Sequence, residues 1–423
     1  MSAAQLSPHV SEALADDPAD GLSTAPVQRA WILGLLLRVF VGVFIGLAVF
    51  DNGVGGYDSK QGADGGNRGI FTDERLGWLN RPHFENPEYE TKLDRFGLRS
   101  PEIPDDAPPD ELRLAGFGAS NIYGAGGCLQ SWCWNYTLEE LLKPRLATLR
   151  VLNGGVMAYS ALQSCRLAGS LLDAIEPDLL MVFISPGAQL MLDPSSARNW
   201  TRVADGPGGL VPRDVVQGWP KAMQPLVAKV HHGLNNWSAL YRRHRSKFQV
   251  NGERTQGIQR WMVSRQPRSP AVEEMFQATL AEFEVLAEQC RRRGVELRVG
   301  VLADIVQDSE RAWSGFLRNN QAEGCPPLDT PRSEPIDVLI ELLEARGIRC
   351  WNFLAEAEQI GRDRTPFIMP DMVHWNRAGH EVLARGIAKR LEAEALIAEL
   401  LKKRRANPRQ RPYGVFPFDP EGS

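Results

Sequence analysis

Two short stretches of this sequence carry residue types that split acyl bonds. The first is Gly116-Phe-Gly-Ala-Ser-Asn-Ile-Tyr-Gly124. An apolar run feeds a Gly-x-Ser turn and then a helix start, which exposes the Ser120 hydroxyl and directs backbone N–H groups at an incoming anion. It is not a G-x-S-x-G elbow, because Ile122 stands where the last glycine belongs. The second stretch is Pro370-Asp-Met-Val-His-Trp-Asn-Arg-Ala-Gly-His380. On a turn, the carboxylate of Asp371 can fix the tautomer of His374 and support its charged form, which suits His374 to act as general base for a distant serine. Each stretch also has a bland explanation: Ser120 as a helix N-cap, and His374 as a hydrogen-bonded structural histidine.

The chain between them must bring the two together. Strands are predicted at 112–117, 150–153, 178–185, 295–302 and 348–353. The run DLLMVFIS at 178–185 is continuously apolar, as for a strand buried on both faces. Helical patterns alternate with them. One short helix is predicted to end before Pro144, and another covers 159–175. In a longer one Phe276, Leu280, Phe283, Ala287 and Cys290 recur at spacings of four and three, and Gly294 is placed to end it. A last helix carries Val382, Leu383, Ile387 and Leu391. This alternation predicts an α/β fold, a flavodoxin-like three-layer sandwich around a five-stranded parallel sheet. Ligands in such sheets bind at the carboxyl ends of the strands, so the chemistry is expected just after Phe117, Asn153, Ser185 and Leu302. Residues 190–266, with Trp200, Trp219, Trp237 and Trp261 among polar residues, break the pattern and read as an insertion or lid.

In order, spacing and context the two stretches resemble the SGNH (GDSL-type) hydrolases over roughly residues 71–395. Leu76-Gly-Trp78 and Asp94-Arg-Phe-Gly-Leu-Arg99 are similar to an arm that precedes the nucleophile in exported bacterial members. GASNIYGAGG and Tyr136-Thr-Leu-Glu-Glu-Leu-Leu142 resemble the nucleophile block. Val151-Leu-Asn-Gly-Gly-Val-Met-Ala-Tyr-Ser-Ala-Leu-Gln163 resembles the second block, and Asp371-x-x-His374-x-Asn376-x-x-Gly379-His380 the last. The resemblance implies Ser120 as nucleophile, His374 as base and Asp371 as its orienting carboxylate. It also implies an oxyanion hole from the N–H groups of Ser120 and Ala158 and one side-chain amide.

The departures bear on activity. Ala119 replaces the usual aspartate before the nucleophile. Ala158 replaces a glycine but keeps its N–H. The third block, usually G-x-N-D, reads Ser185-Pro-Gly-Ala-Gln189, so the amide is missing at Ala188 and present one residue later at Gln189. Two arrangements of Gln189 fit: its amide points into the Ser120 cleft, or it faces solvent while Pro186-Gly187 makes a turn. Loss of one oxyanion donor costs about 10²–10³ in rate. Two functions follow. One is a serine esterase or acyltransferase acting on O-acyl groups of a small molecule or surface glycan. The other is a catalytically degenerate SGNH-fold protein serving in carbohydrate binding or assembly. The resemblance implies no metal and no organic cofactor.

Trp31 to Phe50 reads WILGLLLRVFVGVFIGLAVF. Twenty helical residues span about 30 Å, the thickness of a bilayer core. Its charge, Arg38, is off-centre and can snorkel. The run is long for a signal peptide, and no clean small-x-small site follows. Residues 30–50 are therefore read as a transmembrane helix in contact with lipid, a cleaved signal peptide or buried core helix being the alternatives. Residues 1–29 are read as disordered, 51–70 as a flexible linker, 71–397 as the hydrolase-like domain and 398–423 as a solvated basic tail. Arg29 on one side, with Lys60 and Arg68 on the other, leaves orientation undecided by charge. By analogy with exported members, the domain is expected outside the cytoplasm.

Hydrophobic residues make up 43% of the chain and charged ones 24%, a globular composition. A net charge of −4 gives no basic field for nucleic acid. The cysteines are Cys128, Cys133, Cys165, Cys290, Cys325 and Cys350; none forms a C-x-x-C pair, which argues against common zinc and thioredoxin-like motifs. Cys128 and Cys133 share one loop, and fit either a bridge in an oxidising compartment or buried free thiols.

Overall fold

A computed structural model of the chain describes residues 69–73, 76–104, 108–146, 148–157, 159–187, 190, 200–202, 210–212, 219–227, 229–230, 263–267, 270–319, 326–362, 374–409 and 413–418. The apolar run Trp31–Phe50, Cys325, Asp371, Ala158, Ala188 and Gln189 lie outside these residues. Among the described residues no helix is long and apolar enough to cross a membrane.

An arm comes first. Strand β1 (Ile70–Asp73) pairs antiparallel with β2 (Gly77–Asn80), and β3 (Glu85–Asn86) with β4 (Thr91–Lys92). The body then begins with β5 (Leu112–Gly118), β6 (Leu149–Gly155) and β7 (Leu179–Ile184). A small antiparallel hairpin, β8 (Trp200–Arg202) and β9 (Leu210–Pro212), belongs to the predicted insertion. The body resumes with β10 (Glu296–Val301) and β11 (Cys350–Asn352). The five body strands form one parallel sheet in the order β11-β10-β7-β5-β6, with β10, β7 and β5 inside it.

The helices are α1 (Ser120–Tyr123), α2 (Trp134–Leu142), α3 (Ala161–Ile175), α4 (Pro270–Arg293), α5 (Glu310–Asn319), α6 (Glu334–Glu344), α7 (Leu354–Arg362), α8 (Arg377–Ala393) and α9 (Leu396–Ala406). Alternation along each strand sorts the core into two layers. Leu180, Val182 and Ile184 of β7 face a cluster with Leu171, Phe276, Phe283 and Leu339 from α3, α4 and α6. Leu179, Met181 and Phe183 face the other side, with Leu138, Leu383, Ile387 and Leu400 from α2, α8 and α9. This is the predicted three-layer sandwich, and β7 is buried along its whole length because both layers rest on it.

Local signals explain the boundaries. Ser160 and Gln163 form a reciprocal capping box that starts α3. Gly294, at φ +68, follows the end of α4. Pro144 does not simply stop α2: the helix ends at Leu142 and passes into a tight turn, Lys143–Arg145, that contains it.

The basic tail is corrected more substantially. Residues 396–409 and 413–418 pack onto the body. Leu396 and Leu400 of α9 are buried. Arg404 reaches Asp178 Oδ1 at 2.8 Å through Nε, and Arg409 reaches Oδ2 at 2.8 Å. Arg409 also donates to the carbonyls of Glu111 and Glu176. The Tyr413 hydroxyl donates to Glu111 at 2.9 Å, and its ring lies 3.5 Å from the guanidinium of Arg113. The buried carboxylate of Asp178, at the amino end of β7, takes its cationic partners from the tail, whereas that of Glu111, at the amino end of β5, pairs with Arg113 and Arg150 of the body. Lys402, Lys403 and Arg405 remain exposed.

Candidate active site around Ser120

Strand β5 delivers Ser120 to the carboxyl edge of the sheet. Ala119 is extended (φ −87, ψ −156) and holds the cap position, so Ser120 is the first residue of α1 rather than its N-cap. Ser120 is half-buried. The short helix is tied down from three sides. The carbonyl of Ile122 accepts from Trp134 Nε1 at 3.0 Å and from Asn153 Nδ2 at 2.8 Å. The carbonyls of Tyr123 and Gly124 accept from Arg99 Nη1 at 2.9 and 2.6 Å. Arg99 Nη2 donates to the carbonyl of Cys128 at 2.6 Å and to Thr91 Oγ1 at 3.1 Å. Glycine at 155 permits this closeness: a Cβ there would overlap the backbone nitrogen of Tyr123. Gly124, at φ +85, closes the turn in a conformation that favours glycine.

The motif residues that the sequence offered only as a resemblance thus have mechanical roles. Asn153 accepts from the N–H of Gly155 at 3.0 Å while donating to Ile122. The N–H of Val156 donates to the carbonyl of Gly118 at 3.0 Å. Trp78 Nε1 donates to the carbonyl of Met157 at 3.0 Å, the Tyr159 hydroxyl donates to the carbonyl of Trp78, and Gln163 donates to that of Leu76 at 2.6 Å. The segment flanking Ala158 is therefore braced against the arm.

The arm is itself held by a buried carboxyl group. Asp94 Oδ1 accepts the N–H groups of Phe96 and Leu98 at 2.8 and 2.9 Å. Burial pushes Asp94 up to about 8, overriding those two hydrogen bonds; Glu102 adds to the rise and Arg95 opposes it. The folded chain then keeps a proton that the unfolded chain loses near its ordinary value of 3.8. Stability accordingly falls as pH rises from about 4 to about 8. Asp94→Asn keeps the Oδ1 acceptor and cannot ionise. Its urea midpoint is expected to stay flatter across this window and to exceed that of the wild type at about pH 8.5. Parallel pH profiles for the two proteins would remove the buried-carboxyl account.

The last motif block is described from His374 onward. His374 is half-buried. Asn376 caps α8, its side chain accepting from the N–H groups of Ala378 and Gly379 at 2.9 and 3.2 Å. His380, in the first turn of α8, is fully buried beneath Trp375, with ring centroids 5.9 Å apart and planes at 83°. A Cβ on Gly124 would stand 3.6 Å from His380 Nε2. The residues just after Ser120 and the helix turn just after His374 are therefore neighbours. In the third block, the N–H of Leu190 donates to the carbonyl of Gly187 at 3.0 Å, and that of Val263 to the carbonyl of Pro186 at 3.0 Å. Asp371, Ala158 and the Gln189 side chain lie outside the described residues.

Sequence reasoning gave no role to Arg99 or His380, although both stood in quoted motifs. It also did not connect His380 with the cysteines of the loop that follows Ser120. In the structure Cys128, Cys133 and His380 lie together, all buried. Burial, then Arg99, then His374 push the His380 imidazole down to about 3, so it is neutral at physiological pH.

No protein-family model and no curated relative matches the chain. Solved structures similar to it include the psychrotrophic esterase EstA from Pseudoalteromonas sp., at 9% identity, covering 67% of this chain and 99% of that one, with a TM-score of 0.35. The lipase/acylhydrolase from Enterococcus faecalis is 12% identical, with 67% and 96% covered and a TM-score of 0.33. An acetyl-xylooligosaccharide esterase from Geobacillus is 14% identical, with 66% and 93% covered and a TM-score of 0.32. Identity this low and superposition this loose leave the site to be read from its own residues.

Proposed function

We propose that the chain is a serine esterase or acyltransferase, anchored in a membrane by residues 30–50, with its α/β body outside the cytoplasm and O-acyl groups, such as those of a surface glycan, as its substrates. The observation that carries this reading is the Ser120 turn: a serine at the end of a central strand, opening a helix that Arg99, Asn153 and Trp134 hold in place. A helix cap would need no such bracing.

In the proposed reaction Ser120 Oγ attacks the acyl carbon while His374 takes its proton. The negative oxygen that forms is held by the N–H groups of Ser120 and Ala158 and by the Gln189 amide. The tetrahedral adduct collapses, the alkoxide leaving group receives the proton from His374, and an acyl-serine remains. Water or a sugar hydroxyl, deprotonated by His374, then attacks the acyl-serine and frees Ser120. Asp371 orients His374 throughout. Labelling of the full-length chain by a fluorophosphonate probe, compared with Ser120→Ala, tests the proposal.

Gln189 is the weakest member of this set, because the residue at the usual position is Ala188. Glutamine is one methylene longer than asparagine and can reach a cleft from a retracted position, at a cost in rotamer freedom. Gln189→Ala is expected to lower kcat about 100-fold or more with little change in KM, since an oxyanion donor acts mainly in the transition state. An unchanged kcat would eliminate Gln189 as the third donor.

A degenerate, carbohydrate-binding reading draws on Ala188 and on Trp219, which is 47% exposed in the insertion. The same probe separates the two, because a degenerate site labels in neither protein.

A further inference from the structure

We propose that Cys128, Cys133 and His380 form a binding site for one thiophilic d10 cation, Zn²⁺ or Cu⁺, that ties the loop after Ser120 to the first turn of α8. Among the described residues they are the one group of cysteine, histidine and acidic side chains assembled this way: their ligand atoms all lie within 4.8 Å of one another, and all three residues are buried. Metal–sulfur bonds of about 2.3 Å and metal–nitrogen bonds of about 2.0–2.1 Å bring ligand atoms to roughly 3.5–4 Å separations. The cluster is thus near the size of a filled site, and side-chain adjustment suffices to close it.

His380 supplies the independent observation. Its side chain is 0% exposed, and neither Nδ1 nor Nε2 has a hydrogen-bond partner. Buried polar groups without partners are rare, and an ion is one of the few things that explains them. Nε2 faces the cluster: the point where a Gly124 Cβ would stand lies 3.6 Å from Nε2 and 2.6 Å from Cys133 Sγ. Arg99 Nη1 is 2.7 Å from the same point, so only glycine lets the chain pass this close to the cluster. The sulfurs make only long contacts elsewhere, Cys128 Sγ to the carbonyl of Leu129 at 3.5 Å, and Cys133 Sγ to those of Leu129 and Tyr123 at 3.6 and 3.8 Å. Soft thiolates with an imidazole select thiophilic cations over Mg²⁺ or Ca²⁺.

Charge bears on which cation enters. Two thiolates and Cu⁺ sum to −1, which the neighbouring Arg99 guanidinium offsets; with Zn²⁺ the thiolates and metal sum to zero, and Arg99 leaves the cluster at +1. Three protein ligands also complete a trigonal Cu⁺ site, whereas Zn²⁺ takes a fourth donor, such as water. In either case binding is coordination without oxidation: two S–H bonds break, two metal–sulfur bonds form, and two protons pass to solvent. The site does not depend on the esterase reading, and its test does not use esterase activity.

The full-length chain, isolated in detergent with a thiol reductant and no chelator, is analysed for metal by mass spectrometry. After stripping, it is titrated separately with Zn²⁺ and Cu⁺ against a chromophoric chelator, and with Co²⁺ as a spectroscopic stand-in for zinc. One equivalent is expected, with a thiolate-to-cobalt charge-transfer band. That band disappears in Cys133→Ser, is altered in His380→Gln and is retained in Cys350→Ser. A serine buried here can also disturb folding, so the wild-type melting temperature, raised by metal and lowered by stripping, is the second readout. A folded wild type with both thiols reduced that binds neither Zn²⁺ nor Cu⁺ would overturn the proposal. So would a Cys128–Cys133 disulfide in chain alkylated directly on isolation, or one equivalent bound equally well by Cys133→Ser.

Discussion

Replacing Ser120 by alanine is expected to abolish fluorophosphonate labelling and to lower ester turnover by about 10⁴–10⁶-fold. The alanine cannot form the acyl intermediate, and what remains is binding and oxyanion stabilisation alone. His374→Ala should fall in the same range, and the double variant should be hardly worse than either, because nucleophile and base act as one unit. Additive losses would mean that the two residues do not cooperate. Folding should be little affected in Ser120→Ala: the ties on α1 run through the carbonyls of Ile122, Tyr123 and Gly124, not through the Ser120 hydroxyl. A variant that loses activity together with its melting transition would therefore say nothing for catalysis. Loss of labelling with the transition intact is the expected result.

Arg99→Met is expected to destabilise the chain by about 3–5 kcal/mol, read as a shift of the urea midpoint at neutral pH. The guanidinium is 1% exposed and donates to three backbone carbonyls, those of Tyr123, Gly124 and Cys128, as well as to Thr91 Oγ1. Methionine roughly fills the volume but leaves those acceptors without donors. Arg99→Lys should recover only part of the loss, because one ammonium cannot reproduce the planar fork that serves the Tyr123–Gly124 and Cys128 carbonyls together. If Ser120 is the nucleophile, Arg99→Lys also lowers kcat by loosening α1, as displacements of about 1 Å cost on the order of 100-fold. An Arg99→Met protein with an unmoved midpoint would show that the carbonyls are satisfied by water and that the fork is dispensable.

What the sequence could show depended on how local each signal was. All five body strands were legible because each is a short apolar run between breakers, and β7 most clearly, being apolar on both faces. The capping pair Ser160 and Gln163, and Gly294 after α4, are likewise local. Helices α5, α6 and α7 were not predicted, although Trp313, Phe316 and Leu317 of α5 stand at helical spacing: each is short, and the apolar period in α5 spans little more than one turn. Helix α9 was read as solvated tail: a run of four basic residues outweighed the Leu396–Leu400 spacing, and the carboxylate that Arg404 serves, Asp178, is distant in sequence. At the candidate site, Ser120 and His374 are proposed from motifs, whereas the fork of Arg99 and the meeting of His380 with Cys128 and Cys133 arise only when β5 and α8 are brought together. No spacing rule encodes that.

The docking of residues 404–409 and 413–418 at the amino edge of the sheet has a consequence for how the molecule is made. Asp178 sits in the first half of the body, yet Arg404 and Arg409, which pair with its carboxylate, follow it by 226 and 231 residues in the chain. Until they are made, the Asp178 carboxylate lacks its two cationic partners, and the apolar seat of Leu396 and Leu400 is open. The nascent body can pair its strands early but cannot close. Closure of that layer is therefore expected to follow synthesis of α8 and α9 rather than accompany that of the first strands.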